Sequence, residues 1–132
     1  MTPKAKVLVV DDEKDLVEVI SSQLRNGGYE VIAAYGGDEG LQKAIDETPD
    51  LIILDIIMPA MDGFQVLQKL RNDPRTSQLP VIMLTQRRDT KDIFKAKELW
   101  STDYITKPFS LEKLLQMVDR YVELYPRDTS SS

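Results

Sequence analysis

Five polar residues stand at or just beyond the ends of apolar runs, and their types suit chemistry on a phosphoryl group. Asp11 and Asp12 follow Val7-Leu8-Val9-Val10, Asp55 closes Leu51-Ile52-Ile53-Leu54, Thr85 follows Val81-Ile82-Met83-Leu84, and Lys107 follows Asp103-Tyr104-Ile105-Thr106. Carboxylates gathered in one place repel one another, and protonation or a cation must offset that repulsion. Oxygen-only donors select a hard ion. Asp11, Asp12 and Asp55, with a backbone carbonyl and waters, suit Mg²⁺, which keeps several waters and usually meets phosphate at the same site; Mn²⁺ accepts the same donors. Lys107 supplies a mobile point charge for a phosphoryl oxygen, and Thr85 a hydroxyl donor for another. A carboxylate can itself attack phosphorus, and Asp55 is the candidate nucleophile.

Composition narrows the chemistry further. The 132 residues include no cysteine and no histidine, which excludes thiol nucleophiles, disulfides, imidazole metal sites and a Ser-His-Asp triad. A chain of this length forms one domain with a core of its own, here expected over residues 1–125 and followed by a polar tail or the start of a linker at 126–132. No apolar run approaches the ~20 residues that span a bilayer, and the opening residues lack a signal-peptide core. The expectation is a soluble, cytoplasmic protein with no membrane partner. The net charge of -5 argues against a general nucleic-acid surface. That charge is uneven: residues 1–66 hold 5 basic and 13 acidic side chains, and residues 67–132 hold 12 and 9.

The elements that must position these residues follow from hydrophobic period. Short β-branched runs at Lys6–Val10, Tyr29–Ala34, Leu51–Asp55, Pro80–Leu84 and Asp103–Thr106 alternate with helical patterns, and three of the runs are continuously apolar, as strands covered on both faces are. Leu16, Val17, Ile20 and Leu24 form one helical stripe, stopped by Asn26-Gly27-Gly28. Leu41, Ala44 and Ile45 form a second, ending before Pro49. A third helix starts at Asp62, whose carboxylate caps it while Gln65 reaches back, and ends near Pro74. A fourth is expected around Thr90–Leu99. The last carries Leu111, Leu114, Leu115, Val118, Tyr121, Val122 and Tyr125. Such a chain predicts an α/β fold with a doubly wound parallel sheet, right-handed crossovers and a site beyond the carboxyl ends of the strands. There the five polar residues converge.

Taken with their neighbours, these residues make the chain resemble a receiver domain of two-component response regulators over essentially its whole length. The resemblance rests on Val9-Val10-Asp11-Asp12-Glu13, on Leu54-Asp55-Ile56-Ile57-Met58-Pro59 with Asp62-Gly63, on Leu84-Thr85, and on Asp103-Tyr104-Ile105-Thr106-Lys107-Pro108-Phe109. It implies a (βα)5 flavodoxin-like fold with strand order 2-1-3-4-5. It implies that Asp55 is the phosphoacceptor, that Asp12 binds Mg²⁺ directly and Asp11 largely through water, and that the Ile57 backbone carbonyl completes the ligands. The resemblance further implies that Lys107 pairs with the phosphoryl group and that the bond before Pro108 is cis. Thr85 and Tyr104 are the implied switch, remodelling the face made by the fourth helix, fifth strand and fifth helix. The implied partners are a sensor histidine kinase or His-phosphotransfer protein, then a downstream protein or output domain, or a second copy in a phosphorylation-dependent homodimer. Since the chain has no histidine, the phosphohistidine must belong to another protein. The implied activity is self-phosphorylation from a donor with weak autophosphatase turnover, not metabolic catalysis.

Three departures set the chain apart from the pattern that resemblance leads one to expect. Gln86 replaces a small residue after Thr85, Arg87 and Ile57 flank the implied phosphoryl site, and Trp100-Ser101-Thr102 stands where a glycine-containing turn is usual. Rival functions fare worse on the same residues. A flavodoxin-like cofactor binder needs a hydroxyl- or glycine-rich loop where Asp11-Asp12-Glu13 stand, no GxxxxGK loop is present, and a phosphatase of the haloacid dehalogenase type needs a second carboxylate where Ile57 sits. The stronger alternative is a receiver-like interaction module that works without phosphorylation, for which Gln86 is the supporting feature.

Overall fold

A computed structural model describes residues 3–86, 95 and 101–125. In chain order it contains β1 (Lys6–Val10), α1 (Lys14–Asn26), β2 (Glu30–Ala34), α2 (Gly37–Asp46), β3 (Leu51–Asp55), α3 (Gly63–Asn72), β4 (Val81–Thr85), β5 (Asp103–Thr106) and α4 (Leu111–Leu124). Residue 95 apart, the expected helix around Thr90–Leu99, together with Arg87, Trp100 and the tail at 126–132, lies outside the described residues. The expected fifth helix is therefore α4 here.

The strands form one parallel sheet in the order β2-β1-β3-β4-β5, as expected. Every residue of β3 and β4 is buried, which matches their unbroken apolar runs and places them at the covered middle of the sheet. One core cluster gathers Leu8, Val10, Leu54, Phe64, Leu67 and Met83 on one face. The other face carries Val7, Val9, Val17, Ile20, Ile53, Leu84 and Val118. Alternate residues of the same strands thus serve opposite layers, the side-chain alternation that a doubly wound sheet requires.

Register decides what meets at the carboxyl rim. Val10 pairs with Leu54 in β3 and with Ala34 in β2, so Asp11, the next residue, leaves the sheet beside Asp55. Asp55 pairs with Leu84, and Thr85 pairs with Thr106. Four segments distant in sequence therefore end side by side. The β2 edge has no further strand: the Asp11 N–H donates to the Ala34 carbonyl at 3.1 Å, so the Ala33 carbonyl points outward, and the Lys43 ammonium of α2 donates to it at 2.6 Å.

Caps set the helix starts. Asp62 accepts the Gln65 N–H at 2.9 Å while the Gln65 side chain accepts the Asp62 N–H at 2.9 Å, the reciprocal box expected from the sequence. Ser110 accepts the Lys113 N–H at 3.0 Å and starts α4. Ser110→Ala is expected to lower stability by about 1 kcal/mol, which a urea titration would show as a reduced midpoint with unchanged slope.

Four expectations shift. The second strand starts at Glu30 rather than Tyr29, because the Tyr29 N–H donates to the Leu24 carbonyl at the end of α1, at 3.0 Å. The fourth strand runs Val81–Thr85, one residue later than Pro80–Leu84, because Pro80 has no N–H to give the ladder; its carbonyl accepts from Ile52 instead. The α4 stripe ends before Tyr125, which is largely exposed and sits at the C-cap with φ −123° and ψ 67°, outside helical geometry. Before β5, the Thr102 hydroxyl accepts the Val81 N–H at 2.8 Å and the Thr102 N–H donates to the Val81 carbonyl at 2.8 Å. A threonine thus extends the β4–β5 ladder where resemblance led one to expect a glycine turn.

Candidate functional site

The carboxyl rim brings together Asp11, Asp12, Asp55, Thr85 and Lys107. Carboxylate oxygens of Asp11, Asp12 and Asp55 lie within 4.8 Å of one another. Asp11 is 0% and Asp55 1% exposed, whereas Asp12 is exposed. The Lys107 ammonium approaches from β5, 3.1 Å from Asp11 Oδ2, 3.3 Å from Asp55 Oδ1 and 3.5 Å from Glu13 Oε1. The Lys107–Pro108 bond is cis, and the Lys107 N–H donates to the Thr85 carbonyl at 2.6 Å. These contacts tie the start of the lysine arm to the end of β4.

Neither Asp55 oxygen has a hydrogen-bond partner among the described residues. A buried carboxylate without hydrogen bonds is costly unless a cation compensates it. Burial, and next the charge of Asp11, push the Asp55 carboxyl up to about 7, against the opposing pull of Lys107. Burial likewise raises Asp11, although the Glu13 N–H, donated to its Oδ1 at 2.9 Å, works the other way. Burial alone would pull Lys107 down, but Asp55 and Asp11 outweigh it and hold the ammonium above the ordinary lysine value. Three acids and one lysine leave negative charge in excess. The donor set contains only oxygen, so it is compatible with a divalent cation of the hard class.

Thr85 is fully buried, and its hydroxyl faces the Thr106 hydroxyl at 3.4 Å. Tyr104 is half-buried and packs against the cluster that includes Met83. Gln86 is exposed and lines an open cleft with Tyr104, Thr106, Lys107 and Met117, so its side chain faces solvent at the end of β4. The Ile57 side chain is also exposed, two residues beyond Asp55.

Three residues quoted in the sequence motifs take roles at this rim that the sequence did not give them. Glu13 bonds Lys107, Thr106 holds the Thr85 hydroxyl, and Gly63 packs on the Asp55 backbone: a Cβ there would fall on the Asp55 carbonyl oxygen and 2.8 Å from the Ile56 Cα. The Asp62-Gly63 pair and the poor capping type of Glu13 were the available signals.

Residues 7–119 match the family model described as the response regulator receiver domain. The chain belongs to the receiver domain family of response regulators. As a receiver domain it is 44% identical over 105 residues to the alkaline phosphatase synthesis transcriptional regulatory protein PhoP of Bacillus subtilis, covering 80% of this chain and 43% of that protein. It is 39% identical over 113 residues to the DNA-binding dual master transcriptional regulator RpaA of Synechocystis sp., covering 86% of this chain and 47% of RpaA. The receiver thus spans somewhat under half the length of these curated relatives. Among solved structures, the chemotaxis response regulator CheY4 of Vibrio cholerae superposes with a TM-score of 0.84 at 36% identity, over 89% of this chain and 98% of that one. No helix among the described residues is long and apolar enough to cross a membrane.

Proposed function

We propose that this receiver domain accepts a phosphoryl group on Asp55 from the phosphohistidine of a sensor histidine kinase or His-phosphotransfer protein. The observation that carries the reading is the Asp55 carboxylate: buried, without hydrogen bonds, grouped with Asp11 and Asp12, and 3.3 Å from the Lys107 ammonium. An Asp55 oxygen attacks phosphorus. The bond from phosphorus to the donor nitrogen breaks, and that nitrogen keeps the electron pair. Mg²⁺, or Mn²⁺ in its place, held by Asp11, Asp12, Asp55 and the Ile57 carbonyl, supplies charge neutralisation when bound. Lys107 exchanges a carboxylate for a phosphoryl oxygen. Water later attacks the same phosphorus, releasing inorganic phosphate and returning the carboxylate, a weak autophosphatase step.

The phosphoryl group carries roughly two negative charges where the carboxylate carried one, and the Thr85 hydroxyl leaves Thr106 to donate to it. Tyr104 moves with it, and the face that includes β5 and α4 changes its affinity for a downstream protein, an output domain or a second copy. Lys113 adds positive charge to that face. The unit proposed is residues 1–125 working in the cytoplasm, with 126–132 as linker. DNA binding belongs to RpaA as a whole protein, and no nucleic-acid contact is proposed for this domain.

Incubation with Mg²⁺ and a small acyl phosphate, followed by intact mass measurement, should give a single phosphoryl adduct in the wild type and none in Asp55→Asn. An adduct that survives Asp55→Asn overturns the assignment. No adduct at all favours the phosphorylation-independent interaction module.

A further inference from the structure

Among the described residues Lys107 has three carboxylate partners, and only two of them, Asp11 and Asp55, belong to the cation-binding trio. The third is Glu13, at 3.5 Å. Glu13 occupies the N-cap position of α1, where its side chain accepts no backbone N–H. Ser, Thr, Asp and Asn are preferred at that position because a short side chain folds back onto the first turn. A glutamate forgoes that bond, and places where a local preference yields are often functional. Its backbone is nevertheless held on both sides: the N–H donates to Asp11 Oδ1 at 2.9 Å, and the carbonyl accepts the Val17 N–H at 3.0 Å. The side chain is therefore launched from a fixed point toward Lys107.

We propose that Glu13 is a positioning residue that keeps the Lys107 ammonium at the mouth of the site, ready for a phosphoryl oxygen. This rests on the reading of Asp55 as phosphoacceptor and adds a residue to it. Carboxylates committed to a divalent cation attract an ammonium less, so Asp11 and Asp55 are the partners Lys107 loses. Glu13 lies outside the trio and its side chain is 57% exposed. Its charge stays available to Lys107, whose flexible four-carbon stem would otherwise carry the ammonium into solvent.

Two variants separate charge from reach. Glu13→Gln keeps the length and loses the charge, whereas Glu13→Asp keeps the charge, gains an N-cap and falls one methylene short. In the Mg²⁺-loaded full chain, acetic anhydride labelling of the Lys107 amine, read by peptide mass spectrometry against the other lysines, is expected to rise about two- to fivefold in Glu13→Gln, the scale of a partly exposed ion pair. Unchanged labelling overturns the inference.

Acyl-phosphate phosphorylation is expected to slow about two- to fivefold in Glu13→Gln and to show no such effect when Lys107→Met is already present. An equal change in both backgrounds, as repulsion of the anionic donor by Glu13 would give, overturns it. Glu13→Asp is expected to raise Tm by about 2–4 °C while slowing phosphorylation, whereas a purely structural residue would leave the rate unmoved. A wild-type chain that takes no phosphoryl group brings down the Asp55 reading instead, and the labelling then decides the role of Glu13 by itself.

Discussion

Asp55→Asn is expected to stabilise the metal-free protein at neutral and alkaline pH while removing its capacity to accept phosphate. Burial and the neighbouring charge of Asp11 raise the Asp55 carboxyl from 3.8 to about 7. Between those values the native state holds more protons than the unfolded state, so stability falls as pH rises through that window. Below pH 4 both states are protonated and the penalty is absent. Above pH 7 it is fully present and, at about 1.4 kcal/mol per pH unit, amounts to something on the order of 4 kcal/mol. Asparagine has the same shape and no charge, and it leaves the 3.1 Å pair between Lys107 and Asp11 in place. Thermal unfolding in EDTA at pH 5 and pH 8 checks this: the wild type should lose considerably more stability between the two than Asp55→Asn does. Adding Mg²⁺ at pH 8 should raise the wild-type Tm and move the variant little, since the acid whose charge most needs a cation is gone. Parallel pH slopes in the two proteins would show that Asp55 carries no such burden.

Gly63→Ala is expected to cost about 3 kcal/mol or more and to disturb cation binding although the side chain has no chemistry. The added methyl would sit on the Asp55 carbonyl oxygen and 2.8 Å from the Ile56 Cα. Both obstacles are backbone. The Gly63 N–H also donates to the Ile56 carbonyl at 2.8 Å, so α3 cannot back away without losing that bond. The end of β3 or the start of α3 must move, and Asp55 moves with either. Gly36→Ala is the matched control: nothing lies within 4 Å of a Cβ there, and its φ of −169° is extended backbone open to any residue. Denaturant unfolding should separate the two variants widely, and the Mg²⁺-induced rise in Tm should shrink only in Gly63→Ala. Equal behaviour would mean that β3 and α3 tolerate the approach.

The strands and most of the site were legible in sequence for related reasons. Continuous apolar runs such as Leu51–Leu54 mark buried parallel strands, and parallel topology sends every carboxyl end to one rim, so Asp11, Asp55, Thr85 and Lys107 could be grouped before any coordinate was known. Ends were harder. Whether the fourth strand starts at Pro80 or Val81 depends on which N–H groups find ladder partners, and hydrophobicity does not encode that. Tyr125 continued a helical period that the backbone had already left. The roles of Glu13, Thr106 and Gly63 stayed hidden because they depend on how far a side chain reaches or how closely two backbones approach, quantities fixed only when β1, β3, β4 and β5 lie in register.

The Lys43 amine on the Ala33 carbonyl has a consequence for the molecule among its neighbours. An edge strand with an unpaired carbonyl is a template onto which another chain can add by strand pairing, the route to aggregation and domain swapping. β2 is such an edge, and Lys43 occupies one of its outward acceptors, the Ala33 carbonyl, at 2.6 Å with a charged group that an incoming strand would have to displace. Crowded at high concentration, this domain should therefore resist sheet extension through β2. A single amine of α2 thus guards one point on that edge of the five-stranded sheet.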